Sequence, residues 1–404
     1  MKILQINCVY GHGSTGAITA AIHRALLASG HDSVVLYGRG AVSDEAHTKK
    51  VCSELYAKAN RLHAWLSGDR YGGCALSTQR IIRRIEAERP DVVHLQCING
   101  NFVNISRLVA WLNRKQIPTV LTLHAEFMYT ANCSHSVDCD QWRTGCGDCP
   151  RLREATRSIA PDHTRRAFRR FQRAFAGFGD RLTVVSVSPW LRDRAASSPI
   201  LGGLRHEVIL NGVDTEVFSP RSDAPRTEFA AAGEKLVFHA TAEFSDAPGH
   251  LKGGADVIEL ARRFSGEPVR FLVAGRAHVS GPLPKNLTLL GEIRSPARMA
   301  QLYSMADVTL LTSRRETFSM PVAESLCCGT PVVGYEAGAP EQIALPEYST
   351  FVPCGDQKAL EGALRFALGD STAHRKAASD AAARYANETM TDSYLALYRS
   401  ILCS

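Results

Sequence analysis

A chain of 404 residues with 45% hydrophobic and 22% charged residues has the composition of a soluble globular protein and room for two domains, each with its own core. No apolar stretch reaches the roughly 18 residues needed to cross a bilayer, which excludes a membrane-spanning helix. The formal net charge of +7 favours an anionic partner without choosing among a membrane surface, a lipid pyrophosphate and a nucleic acid.

Strands and helices alternate throughout, which predicts open parallel sheets covered on both faces. In the first half strands are expected near Lys2–Cys8, Ser33–Tyr37, Val92–Gln96, Thr119–Leu123 and Thr183–Val187. The opening run Met1-Lys2-Ile3-Leu4 reads as a strand rather than a leader, so a cytoplasmic location is expected. It leads into Gly11-His12-Gly13-Ser14-Thr15-Gly16, a match to Gly-x-Gly-x-x-Gly where a dinucleotide fingerprint belongs. An NAD(P) enzyme would also need an acid at the end of the second strand, and Tyr37-Gly38-Arg39 stands there instead. Gly13, Ser14 and Thr15 are therefore expected to face a ligand cleft in another role.

After the fourth strand, which ends Thr122-Leu123-His124, come Cys133, Cys139, Cys146 and Cys149, spaced Cys-x5-Cys-x6-Cys-x2-Cys. The last pair has the spacing of a metal knuckle, and a structural zinc is expected, with His135 as a substitute ligand. Two disulfides or free thiols are the alternatives. The remaining eight cysteines are read as small core residues. Next come Arg151, Arg153, Arg157, Arg165, Arg166, Arg169, Arg170 and Arg173, with Phe168, Phe171 and Phe175 on one helix face. This pattern suits a helix lying on an anionic membrane, or an ordinary amphipathic helix with its aromatics in the core. Taken with the cysteines it also allows a zinc-containing nucleic-acid binder, which leaves the motifs of the second half unexplained.

A boundary is expected around Ser188 to Asn211, where Pro189, Pro199 and Gly202-Gly203 interrupt the periodicity. Further strands are expected near Leu236–Ala240, Val269–Ala274, Leu287–Leu290, Val308–Leu311 and Pro331–Val333, and Arg375 to Ser404 reads as helical. After the fourth of these strands a helix is expected to start near Pro321, which places Glu316 in the loop before it and Glu324 one turn into it, with free backbone N–H groups between them. Such a helix start attracts phosphate, and carboxylates accept hydrogen bonds from sugar hydroxyls. Diphosphate plus sugar implies a nucleotide sugar.

Glu316 to Gly338 resembles the donor-binding signature of family 4 retaining glycosyltransferases of the GT-B fold, with Ser319 in place of the usual Gly. Val208-Ile209-Leu210-Asn211-Gly212-Val213-Asp214 resembles their interdomain segment, and the stretch from His124 through Cys149-Pro150 resembles colanic-acid and exopolysaccharide transferases. The resemblance implies two Rossmann-like domains facing a cleft: residues 1–205 on the acceptor side with a Cys-rich insertion at about 125–155, and residues 206–385 binding the donor. It also implies that a final helix, 386–404, crosses back to the first domain. It assigns catalytic roles to His124, Glu316 and Lys252, and donor binding to Glu316, Phe318, Ser319, Met320, Glu324, Lys252 and Gly275, with Arg276 or Arg314 replacing a missing phosphate-binding Arg. The Asp that usually follows His124 is Ala125, which leaves Glu126 as the nearby carboxylate. The expected reaction moves a hexosyl group from a UDP- or GDP-linked sugar, with retention and without a catalytic metal. Its expected acceptor is a saccharide, foremost a lipid-linked intermediate of exopolysaccharide or surface glycan synthesis, used at the inner face of the cell membrane. A nucleotide-sugar epimerase of the same fold is the alternative.

Overall fold

The computed structural model describes residues 1–156, 158, 161–224, 226–369 and 374–403; Arg157 and Ser404 lie outside them. The chain divides into two compact units, Met1–Leu210 with Met390–Ser404, and Asn211–Thr389.

In the first unit the strands are β1 (Lys2–Asn7), β2 (Asp32–Tyr37), β3 (Thr48–Lys50), β4 (Val92–Leu95), β5 (Thr119–Leu123), β6 (Leu182–Ser186) and β7 (Arg205–Val208). They form one parallel sheet in the order β3-β2-β1-β4-β5-β6-β7. Helices cover both faces, so the central strands are buried apolar runs without alternation. The C-terminal helix Asn387–Cys403 contributes Met390, Tyr394, Leu397 and Tyr398 to the core that contains Ile3, Ile18, Val92 and Val120.

The second unit holds β8 (Lys235–Ser245), β9 (Val269–His278), β10 (Leu287–Gly291), β11 (Val308–Leu311), β12 (Val332–Tyr335) and β13 (Ser349–Val352), parallel in the order β10-β9-β8-β11-β12-β13. Val237 faces the core of Val257, Phe271 and Leu360, whereas Leu236 and Phe238 face that of Leu272, Leu302 and Tyr303.

β3, β7 and β13 have no counterpart in the sequence reading. All three are short and partly exposed, so they lack the apolar run that marks a central strand. The expected interruption at Ser188-Pro189 is a helix start: Ser188 Oγ accepts from Leu191 N at 3.2 Å, and Pro189 fits the first turn of Pro189–Ala196. β8 continues past its expected end at Ala240 through a bulge that pairs Glu243 with Arg276 and buries Phe244.

Candidate functional site

The donor motif folds as strand, loop and helix. β11 is buried, the loop 312–319 follows, and the helix Met320–Cys327 begins with Pro321 in its first turn. Glu316 N donates to Ala337 O at 2.9 Å, and Ala339 N donates to Glu316 O at 3.3 Å, so the loop is laced to the turn after β12. Glu341 holds that turn by accepting from Ala337 N and Gly338 N at 3.0 and 2.9 Å. Into this frame comes Lys252, whose Nζ lies 2.5 Å from Glu316 Oε1, both side chains being mostly buried. The Lys252 carbonyl accepts from Thr312 Oγ1 at 3.1 Å. Gly253 stands at φ +66, where an added Cβ would meet Thr312 O at 2.1 Å, so glycine is required for the turn to reach the strand end.

Glu324 lies in the second turn of the helix and accepts from Tyr303 OH at 3.2 Å. Burial pushes its carboxyl up to about 7, more than the Tyr303 hydrogen bond lowers it. Such a group gains most from a new donor hydroxyl. Ser319 precedes the helix at φ +88, ψ 86, a conformation natural to the glycine it replaces, and its buried Oγ has no partner among the described residues. Phe318 is buried and Met320 partly exposed at the helix start.

Of the two candidate phosphate arginines, Arg314 is committed. Its Nη2 bonds Asp256 Oδ2 at 3.0 Å, while Gln357 Nε2 donates to the other Asp256 oxygen at 2.8 Å. Arg276 does not follow a strand end as expected but lies within the extension of β9, exposed, 3.7 Å from Glu292. Gly275 before it, at φ +148, lets the strand pass Thr241 O, which an added Cβ would meet at 2.2 Å.

In the first unit, His124 stands at the carboxyl end of β5. A chain of hydrogen bonds fixes its tautomer. The Thr19 carbonyl can only accept, so Gln5 donates Nε2 to it at 3.3 Å and offers Oε1 to Gln96 Nε2 at 3.2 Å. Gln96 Oε1 then accepts from His124 Nε2 at 3.0 Å, which places the proton on Nε2 and leaves Nδ1 basic. Burial lowers the imidazole to about 4, so the ring is neutral at physiological pH. Glu126 is fully buried and does not supply an exposed carboxylate: its Oε2 accepts from Ser136 Oγ at 2.6 Å and Tyr129 OH at 2.8 Å and lies 3.3 Å from Arg194. It pins the Cys-rich segment. Gly13, at φ +65, opens the helix Gly13–Ala28, and Gly13 and Ser14 are exposed while Thr15 O accepts from Asn7 Nδ2 at 3.1 Å.

The helix Thr164–Phe175 keeps its aromatic residues in the core. Phe168, Phe171 and Phe175 are at most 3% exposed, so no aromatic stripe is available to a membrane. Its arginines, with Arg107 of the neighbouring helix Ile105–Arg114 and the Asn104 that caps that helix, line a groove of about 840 Å³. All twelve cysteines are free thiols. Of the eight outside the cluster, five are buried, but Cys354 and Cys403 are exposed and do not act as core residues. Cys133, Cys139, Cys146 and Cys149 are partly exposed and share one neighbourhood: burial first, and then the other three thiols, push Cys146 up to about 12. Among the described residues, however, no three His, Cys, Asp or Glu side chains are grouped to hold a metal ion, so the segment as it stands does not form a closed zinc shell.

The model of glycosyltransferase family 4 matches residues 16–217, half of the chain, and that of group 1 glycosyl transferases matches residues 247–385, which contain the Lys252, Glu316 and Glu324 site. The chain belongs to glycosyltransferase family 4. Among relatives, the putative colanic acid biosynthesis glycosyl transferase WcaC of Escherichia coli K12 is 22% identical over 358 residues, 85% of each chain. The D-inositol 3-phosphate glycosyltransferase of Mycobacterium marinum is 30% identical over 216 residues, 48% of this chain and 45% of its own. Among solved structures, sucrose-phosphate synthase from Thermosynechococcus elongatus superposes with a TM-score of 0.72 over 100% of both chains at 15% identity. Anabaena HepE in complex with UDP-glucose gives 0.63 over 99% of this chain and 100% of its own, again at 15%. These likenesses establish the GT-B fold, and with the family they make the chain a glycosyltransferase.

Tyr303, Asp256 and Glu341 hold the candidate donor residues in place and were not anticipated. Glu341 and Asp256 each carried a local signal, since both are acids in the first turn of a helix.

Proposed function

We propose that this glycosyltransferase moves a hexosyl group from a UDP- or GDP-linked sugar, with retention, to a saccharide acceptor, and that the acceptor is a lipid-linked intermediate of exopolysaccharide or surface glycan synthesis. The observation that carries the donor half is the Lys252–Glu316 pair beside a helix start that bears Glu324. A bound diphosphate would draw Lys252 to its own charge and free Glu316 for sugar hydroxyls, while Glu324 would accept from the ribose. Phe318, Ser319 and Met320 would line the approach. The likeness to HepE, solved with UDP and with UDP-glucose, supports a UDP-linked donor, and that to WcaC supports the exopolysaccharide role.

His124, neutral and held by Gln96, would orient the acceptor beside the sugar carbon, with the Gly13, Ser14 and Thr15 turn at the same end of its sheet. On the retaining route the leaving diphosphate itself takes the acceptor proton, so the protein's work is orientation and charge stabilisation. A structural zinc at Cys133, Cys139, Cys146 and Cys149 is a separate proposal, supported by spacing and shared neighbourhood. The thiols would have to draw together around the ion, and a zinc content near zero in protein purified without added metal would remove it.

A thermal-shift screen of UDP, GDP, ADP and their sugars tests the donor, because a ligand that binds only the folded state raises its melting temperature. A shift with a nucleotide sugar, followed by an α-linked product from an α-linked donor in NMR, is the expected result. An inverted product would refute retention.

A further inference from the structure

The helix Glu54–Ser67 is built inside out. Leu55, Leu62, Trp65 and Leu66 are 80%, 54%, 43% and 52% exposed, and all four fall within about 100° of helix arc. The inward side is held by polar bonds instead. Asn60 Oδ1 accepts from Cys74 N at 2.7 Å, Tyr56 OH accepts from Leu76 N at 3.1 Å, and Ser53 Oγ caps the helix. Ala57 is its one buried residue. Single exposed apolar residues are ordinary; four on one helix face are not.

The charges on this face are basic. Lys58 lies among the apolar residues and Arg61 borders them, and neither makes an ion pair among the described residues. With Arg70, Leu62 and Trp65 they line a hollow of about 650 Å³. The helix's one acid, Glu54, is turned to Arg39, Lys50 and Gly40 N. We propose that this helix docks the protein on an anionic lipid surface, the apolar side chains entering the headgroup boundary and Lys58 and Arg61 meeting lipid phosphates. Charge complementarity selects this occupant: in a twofold dimer the same cations would face their own copies.

The start of the helix and the segment that follows it are tied to loops that follow strands. Glu54 Oε1 accepts from Gly40 N after β2, and Asn104 Nδ2, after β4, donates to Gly72 O at 2.6 Å. The docking face therefore lies toward the end of the first sheet that carries His124, where a lipid-borne acceptor would present its sugar. The proposal extends the acceptor reading, but its test is independent of transfer.

Sedimentation with vesicles containing phosphatidylglycerol, and with phosphatidylcholine alone, is compared for the wild type, for Leu62→Ser/Trp65→Ser/Leu66→Ser, and for Arg166→Gln/Arg169→Gln/Arg173→Gln. The wild type should bind the anionic vesicles. The apolar triple variant should bind at least about tenfold more weakly, since three side chains no longer leave water. Because these positions are exposed, its melting temperature and nucleotide affinity should match the wild type, separating loss of docking from loss of fold. Absence of wild-type binding, undiminished binding of the apolar variant, or loss of binding confined to the arginine variant would each overturn the proposal. So would a concentration-dependent dimer abolished by the apolar substitutions, which would assign the face to a second copy.

Discussion

Behind His124, in the first unit, His94 bonds Tyr398 OH at 2.6 Å and Thr122 Oγ1 at 2.7 Å, and Thr122 in turn meets Tyr394 OH at 2.9 Å. Around Glu324, in the second, the carboxyl is pushed up to about 7, Ser319 Oγ has no partner among the described residues, and Glu316 is balanced by a lysine that a diphosphate could take away. The two networks use burial differently. The first is closed on itself and fastens the C-terminal helix to the sheet. The second leaves polar capacity unspent, as a site that waits for a ligand does.

The largest effect expected from this difference is on stability. His94→Ala would take from Tyr398 its hydrogen-bond partner, leave Thr122 with Tyr394 in place of two partners in a dry core, and open a cavity. The first unit should lose about 3–5 kcal/mol, measured by chemical denaturation. A loss below about 1 kcal/mol would show that the network is not the fastening described.

A donor-site substitution should act the other way. The folded state holds the Glu324 proton more tightly than the unfolded chain, so this carboxyl's contribution is most favourable below about 4.5 and is lost as pH rises through about 7. Without ligand, Glu324→Gln should therefore stabilise the second unit at pH 8 by about 1–3 kcal/mol, with the gain fading toward pH 4.5. A gain independent of pH would mean that the carboxyl is not the titrating group.

Ser319→Gly should give the smallest change, a gain of about 1 kcal/mol, by relieving a left-handed backbone and removing a buried hydroxyl without a partner. Thermal unfolding of the two variants side by side checks it; a destabilised Ser319→Gly would mean that the hydroxyl is satisfied.

Much of this was legible in the sequence because central strands of a parallel sheet are uninterrupted apolar runs, and because Pro321 and the glutamates punctuate one helix start. Ten strands could be read in that way, whereas β7, with Arg205 exposed and Glu207 partly exposed along it, could not. Periodicity gives a helix a face but not the direction that face points. Thr164–Phe175, with its aromatic stripe, faces the core, while Glu54–Ser67 turns its leucines and Trp65 outward, because Tyr56 and Asn60 take the inward side through backbone partners 14 to 20 residues away. Glu126 was equally illegible: Ser136 and Arg194, which hold it, are brought there only by the fold.

The donor glutamates test the central claim most directly. Isothermal titration of the bare nucleotide, together with a transfer assay, should find binding about tenfold to more than a hundredfold weaker in Glu324→Ala, which loses the ribose acceptor. Glu316→Ala should bind the nucleotide as the wild type does and fail in transfer. Equal nucleotide affinity in all three proteins would contradict the assignment of this loop and helix as the site of a nucleotide sugar.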